Sequence, residues 1–248
     1  MALDLVKLNR INQINLSTFY LHSQTFPPFK RIHEGSNLYL VASGVSADRV
    51  IGNEEITRDP NGVYIGVNRA FQIGNYAFNF DYMFIQDYSG KTQEYIDELD
   101  EYRGYECQKF YGLTTEWSYD PERTIPESHA IKANALRYRT DWAQIEGFEP
   151  QFAYDLATQP LGCFGSIVFP ALQFALWTHP SRIYLIGCDC TTGGYAYDKK
   201  DKNFLVPERI IAAYKKFKAF AHKYYPDIEI ISINPVGLKG LFKDVEVS

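Results

Sequence analysis

The chain has 248 residues, 46% of them apolar, a length that suits one large α/β domain with a sizeable core. Its formal net charge is -5 and it has no long basic run, which argues against nucleic acid as a main partner, since that binding needs Lys and Arg on the phosphates. No apolar run reaches the ~20 residues that span a bilayer, and residues 1–15 alternate apolar with polar positions without a signal-like stretch, so the expected location is the cytoplasm with at most peripheral membrane contact.

In chain order, Asn37 to Ser43 (NLYLVAS) reads as a buried strand ending in a Ser43-Gly44 turn. Gly62 to Asn68 (GVYIGVN) and Tyr82 to Gln86 (YMFIQ) are two more strands of the same kind. Thr92 to Tyr102 has helical spacing with many acidic residues and suits a surface helix. Glu106 to Tyr111 is a candidate fourth strand. Thr114 to Pro160 is polar and Pro-punctuated, and is expected to be irregular, either a lid over a site or a surface connection.

The pattern then sharpens. Gly165-Ser166 is a small-residue turn leading into an apolar helix that runs to Thr178, with Pro170 near its start. Arg182 to Gly187 (RIYLIG) is a buried strand, Pro207 to Tyr224 an amphipathic helix, and Ile228 to Ile233 a last strand. Strands alternating with helices imply right-handed crossovers and a mostly parallel sheet. With no internal repeat and no low-complexity linker, residues 1–248 are expected to form one α/β domain, with 114–160 as the lid or insertion.

In an open parallel sheet a ligand sits beyond the carboxyl ends of the strands. The residues there are Ser43, Gly44 and Ser46, then Asn68 and Arg69, Gln86 and Asp87, Asp189, Thr191 and Thr192, and Asn234. Small polar residues in these places suit a cleft, and they equally suit ordinary turns. Gly165 and Ser166 open a helix whose free N–H groups suit a phosphate, although Ser is also a common N-cap. There is no G-x-G-x-x-G, no G-x-x-x-x-G-K-[ST] and no D-x-D, which disfavours nicotinamide, P-loop and metal–sugar-diphosphate chemistry. Cys107, Cys163, Cys188 and Cys190 lack the spacing of a zinc site and read as reduced thiols. No metal and no cofactor is expected.

The ordered block Gly165-Ser166, Arg182-Ile-Tyr-Leu-Ile-Gly187-Cys188-Asp189 and Tyr195-Ala196-Tyr197-Asp198 resembles the bacterial lipooligosaccharide sialyltransferases (glycosyltransferase family 42) and the related motility-associated flagellin glycosyltransferases. Ala42 to Ser46, Val67 to Phe71, Phe84 to Asp87 and Ile231 to Pro235 fall in the family's order, so that the resemblance spans roughly residues 37–243. It implies a modified Rossmann-type fold, a variant of the GT-A type, with a lid. It implies a metal-independent, inverting transfer of a sialic-acid-like sugar from a CMP-activated donor to a surface glycan such as lipopolysaccharide, by an enzyme that often forms symmetric homo-oligomers. Ser43, Gly44, Asn68, Asp87, Gly165, Ser166, Asp189 and Thr191 would then bind substrate, and Tyr195 would steady the leaving phosphate.

Two departures accompany the likeness. Thr191 stands where the family has a second tyrosine, and the stretch Lys199 to Glu208 lacks the family's catalytic His. Asp198, Asp201 or Glu208 is left as the general base, or His129 from the segment read as irregular. Two alternatives stay open. One is a magnesium-dependent nucleotide-phosphate transferase of the pyrophosphokinase kind, using Asp87 and Asp189. The other is a non-catalytic protein that binds a nucleotide-sugar.

Overall fold

A computed structural model of the chain describes residues 5–74, 77–86, 93–113, 125–141, 150–197 and 207–247. The chain opens with helix α1 (Leu5–Thr25), which leads into β1 (Asn37–Val41). A short helix α2 (Glu54–Thr57) precedes β2 (Gly62–Val67), followed by β3 (Tyr82–Ile85), α3 (Gln93–Glu101) and β4 (Gln108–Leu113). Next come α4 (Glu127–Lys132), β5 (Leu136–Asp141) and the two-residue β6 (Leu161–Gly162). The remainder is α5 (Val168–Thr178), β7 (Arg182–Ile186), α6 (Pro207–Tyr224), β8 (Glu229–Ile233) and β9 (Lys243–Val245).

The strands form one sheet in the order β6-β5-β4-β3-β2-β1-β7-β8-β9, and every pairing is parallel. Both faces are covered, which explains why the strands read as continuous apolar runs rather than as alternation. In β1, Leu38 and Leu40 face one core, Tyr39 and Val41 the other. On the second face Tyr39 stacks between Tyr64 of β2 and Tyr184 of β7, with centroids 5.0 and 4.8 Å away. On the first face Phe174 of α5 packs against Phe84 and Phe110 at 5.2 and 5.0 Å. All of α5 is buried, so it is the central helix of that layer.

The chain steps outward from β1 to β6, then returns across the sheet to β7, on the other side of β1. The connection after β1 packs on the second face through Ala47, Val50 and Ile56, whereas α6, which follows β7, packs on the first. This is the switch point at which doubly wound sheets bind ligands.

Three expectations change. Residues 1–15 were read only as lacking a signal, and the structure makes Leu5–Thr25 a helix whose buried positions include the polar Thr18, His22 and Thr25. A polar buried stripe leaves no apolar period to read. Segment 114–160, expected to be irregular with short helices, contains the short helix α4 and also adds strand β5 to the sheet; residues 114–124 and 142–149 of it lie outside the described residues. Finally, β9 adds an edge strand that Lys243 and Asp244 concealed. Among the described residues, no helix is long and apolar enough to cross a membrane.

Candidate active site

The crevice at the switch point is a small cleft of about 200 Å³. Its floor is made by the tips of β1 and β7, pressed together. Gly44 N–H donates to Gly187 O at 2.9 Å, and Ala42 N–H donates to Ile186 O at 2.8 Å. A Cβ on Gly44 would sit 2.5 Å from both Gly187 O and Asp189 Cγ, so the glycine is required by close approach. Gly187, at φ 64°, needs the left-handed region as well. The segment carrying Tyr195 is strapped to the same tip: Ala196 N–H donates to Ser43 O at 2.9 Å, and Gly44 and Tyr195 form an antiparallel bridge.

Asp189 is buried, and its carboxylate accepts from Ser46 twice: from the backbone N–H at 3.0 Å and from the hydroxyl. The carboxylate that a magnesium-dependent reading requires is thus spent on joining two loops. Among the described residues, no group of three His, Cys, Asp or Glu side chains is arranged to hold a metal ion. Asp87 lies outside the described residues, as does Asp198.

Asn68 follows β2 in the left-handed conformation, φ 48°, and lines the cleft. Its Oδ1 is buried without a hydrogen-bond partner among the described residues. A buried carbonyl oxygen without a donor costs about 1–3 kcal/mol, which a ligand N–H or O–H would recover. Gln86 also lines the cleft, but its amide is already used: it donates to Thr140 Oγ1 at 2.8 Å and accepts from Tyr138 OH at 3.0 Å.

The opposite wall is the turn before α5. Phe164 and Gly165 take φ 50° and 85°, turning the chain so that Ser166, Ile167 and Val168 present the helix N-terminus to the cleft. Ser166 Oγ accepts from Val168 N–H at a long 3.4 Å, a weak cap that a ligand oxygen can replace. The Arg209 guanidinium carbon lies 3.8 Å from where a Gly165 Cβ would project, so a cation stands beside this turn. Tyr195 lines the cleft and stacks on Tyr197, with ring centroids 5.0 Å apart; the Arg69 guanidinium lies 5.3 Å from the Tyr197 ring and 4.6 Å from that of Tyr95. Tyr214 and Ile210 of α6 close the floor. Burial holds the Tyr214 hydroxyl in its neutral form and pushes the Cys188 thiol up to about 12. No disulfide joins any of the four cysteines.

The structure brings Ser43, Gly44, Asn68, Gly165, Ser166, Asp189, Thr191 and Tyr195 to one cleft. His129 is not among its lining residues. Its Nδ1 lies 2.7 Å from Asp100 Oδ2, on a carboxylate that also accepts from Tyr111 OH at 2.9 Å, while Lys109 donates to the Asp100 backbone carbonyl at 2.8 Å. The buried polar network beside β4 holds Nδ1 of this histidine, apart from the residues that line the cleft. Arg209, Ile210 and Tyr214 were missed because the α6 pattern shows only an amphipathic helix; the single signal was Arg209 within its first turn.

Solved structures share this fold. The sialyltransferase CST-II in complex with trisaccharide acceptor and CMP superposes with a TM-score of 0.50 at 14% identity, covering 85% of this chain and 86% of that one. CstII from Campylobacter jejuni in complex with the substrate analogue CMP-3FNeuAc gives the same TM-score, identity and coverage. The MAf glycosyltransferase from Magnetospirillum magneticum AMB-1 gives 0.56 at 14% identity, covering 93% of this chain and 38% of that one. No family model and no curated protein matches the sequence. The shared architecture establishes for this chain the Rossmann-like α/β fold that those structures have.

Proposed function

We propose that this protein is a glycosyltransferase that binds a CMP-activated, sialic-acid-like sugar in the switch-point cleft and transfers it to a glycan. The observation that carries the reading is the pairing, across one cleft, of the unpartnered Asn68 Oδ1 with the weakly capped N-terminal turn of α5. The first suits a donor group of the nucleoside. The second, with Arg209 beside it, suits the phosphate.

Transfer lengthens the bond between the sugar and the phosphate, and negative charge gathers on the departing CMP. The Val168 amide, once a ligand oxygen replaces its long contact with Ser166 Oγ, the Arg209 guanidinium and the Tyr195 hydroxyl are donors for that charge, which supports a metal-independent step. The acceptor hydroxyl attacks from the opposite side, inverting the anomeric carbon, and must surrender a proton. With His129 engaged at Asp100, the carboxylates of Asp198, Asp201 and Glu208 are the bases to test.

The test is thermal stabilisation by CMP, CDP, UDP, GDP, ADP and ATP, with and without magnesium, followed by turnover of a CMP-sugar. A nucleotide at ~100 times its Kd stabilises the native state by about 2.7 kcal/mol. CMP binding without magnesium, lost in Asn68→Ala and Ser166→Ala, is the expected result. Preference for another nucleotide, or a strict need for magnesium, overturns the CMP-sugar reading in favour of nucleotide-phosphate transfer. CMP binding without turnover retains the site and overturns the enzymatic part.

A further inference from the structure

Tyr195 reaches the cleft at the end of a file of side chains that starts in the second core. Tyr95 of α3 is buried and packs on Phe71 with centroids 5.7 Å apart. The Arg69 guanidinium lies 4.6 Å from the Tyr95 ring and 5.3 Å from the Tyr197 ring, so the planar cation contacts both. Tyr197 stacks in turn on Tyr195 at 5.0 Å, with the two planes 8° apart. Tyr95, Arg69, Tyr197 and Tyr195 thus connect α3 to the wall of the cleft.

Both ends of the file are anchored. Arg69 stands between Asn68, which lines the cleft, and the buried pair Ala70 and Phe71. Gln72 Nε2 donates to Glu98 Oε2 at 2.7 Å and ties this turn to α3, while Gln72 Oε1 accepts from Arg69 Nη1 at a long 3.5 Å. At the other end Ala196, between the two tyrosines, packs against the second core, and its N–H donates to Ser43 O. These contacts fix the backbone of the strap. The half-buried Tyr195 ring still has rotamers to choose among, and flat stacking on Tyr197 selects one of them.

We propose that Arg69 and Tyr197 are positioning residues that fix the Tyr195 side chain for its part in the transfer. The inference rests on the glycosyltransferase reading for what Tyr195 does, and on the ring contacts for how it is held. A hydroxyl that answers charge on a leaving group has to be in place before that charge develops. Arg69 serves this end through its flat shape. Lys at this position keeps the charge but cannot lie flat against the rings, which separates positioning from a cation acting directly on the phosphate.

The experiment uses the full chain labelled with meta-fluorotyrosine and read by fluorine NMR. The Tyr195 signal, among those of 19 tyrosines, is identified by its loss in Tyr195→Phe. In Arg69→Ala and Tyr197→Ala this signal leaves its ring-shifted position and sharpens. Tyr197→Phe, which retains the ring, keeps it in place, and Arg69→Lys does not. CMP moves the signal in the wild type. With a CMP-sugar, Arg69→Ala and Arg69→Lys both lower kcat about tenfold, at a KM within about twofold of wild type and a melting temperature close to it. An unchanged Tyr195 signal in Arg69→Ala and Tyr197→Ala overturns the proposal. Wild-type kcat in Arg69→Lys overturns it too, by assigning Arg69 to charge alone, as does a fall in kcat that only follows the fraction unfolded. A Tyr195 signal that responds to Arg69→Ala in a protein on which neither CMP nor a CMP-sugar acts supports the positioning and overturns the transfer reading alone.

Discussion

Ser46 gives both its backbone N–H and its hydroxyl to the carboxylate of Asp189, a residue 143 positions later in the chain. The two hydrogen bonds lock the loop after β1 to the loop after β7, and with them the Gly44–Gly187 contact that makes the cleft floor. Asp189 thus shapes the site through Ser46.

Asp189→Asn keeps the size but replaces one acceptor oxygen with a donor facing Ser46. Charge-assisted hydrogen bonds contribute about 1.5–3 kcal/mol, so a stability loss of this order is expected in urea melts, with CMP binding weakened at least in proportion. Ser46→Ala should lose less, because its backbone N–H still donates. Equal losses in the two would contradict the pairing.

His129→Gln tests the removal of this histidine from the reaction. The Asp100 network loses one partner, and melting should reveal destabilisation of about 1–3 kcal/mol. Turnover of a CMP-sugar per folded molecule should remain within about twofold of wild type, a difference that corresponds to about 0.4 kcal/mol in barrier. A loss of several hundredfold at unchanged substrate binding would return His129 to the mechanism.

His22 is buried between α1 and β5. Its Nε2 accepts from Arg139 N–H at 2.8 Å, so its Nδ1 carries the proton donated to Gln159 O at 2.9 Å. Burial foremost lowers its pKa from 6.5 to about 4. The unfolded chain therefore binds the proton more readily than the native one between these values. Stability contributed by neutral His22 is complete above about pH 6.5 and falls as pH drops towards 4, by at most about 3 kcal/mol. Urea melts between pH 7 and pH 4.5 should show this slope, and His22→Gln should flatten it.

Gln173 is the one amide inside the apolar helix α5, and all its polar atoms are used. Its Oε1 accepts from Ala153 N–H at 2.8 Å and Gly162 N–H at 3.0 Å; its Nε2 donates to Gly162 O at 2.7 Å and Phe169 O at 2.8 Å. Gln173→Leu strands buried backbone groups at Ala153 and Gly162, and should cost about 3 kcal/mol or more in thermal or urea unfolding. Because Gly162 leads into the Gly165 turn, CMP affinity should fall as well, whereas Gln173→Glu should restore part of the stability.

The central strands were legible because a sheet buried on both faces writes itself as unbroken apolar runs: NLYLV, GVYIGV and RIYLI match β1, β2 and β7 within a residue or two. Their ends, and thus most of the cleft, followed from parallel topology alone. What stayed hidden has no periodic apolar signal. Helix α1 buries Thr18, His22 and Thr25, and the last two bond the backbone of distant segments rather than join an apolar stripe. In β5, Arg137 and Arg139 alternate with buried Tyr138 and Thr140, and such a strand reads as loop until its neighbours are known. The engagement of His129 by Asp100 depends on a contact across 29 residues that no local pattern encodes.

The position of β1 between β2 and β7 has a consequence for the growing chain. β7 begins at Arg182, so during synthesis one side of β1 stays unpaired until most of the protein has been made. The Asn37–Val41 strand is in that interval an open apolar edge, the kind that templates pairing with other chains. The cleft has no counterpart in any N-terminal fragment, since one of its walls arrives with α5 and β7. Truncations ending before Ile186 should aggregate rather than bind nucleotide weakly, and appearance of ligand binding during translation should mark the closure of the sheet around its first strand.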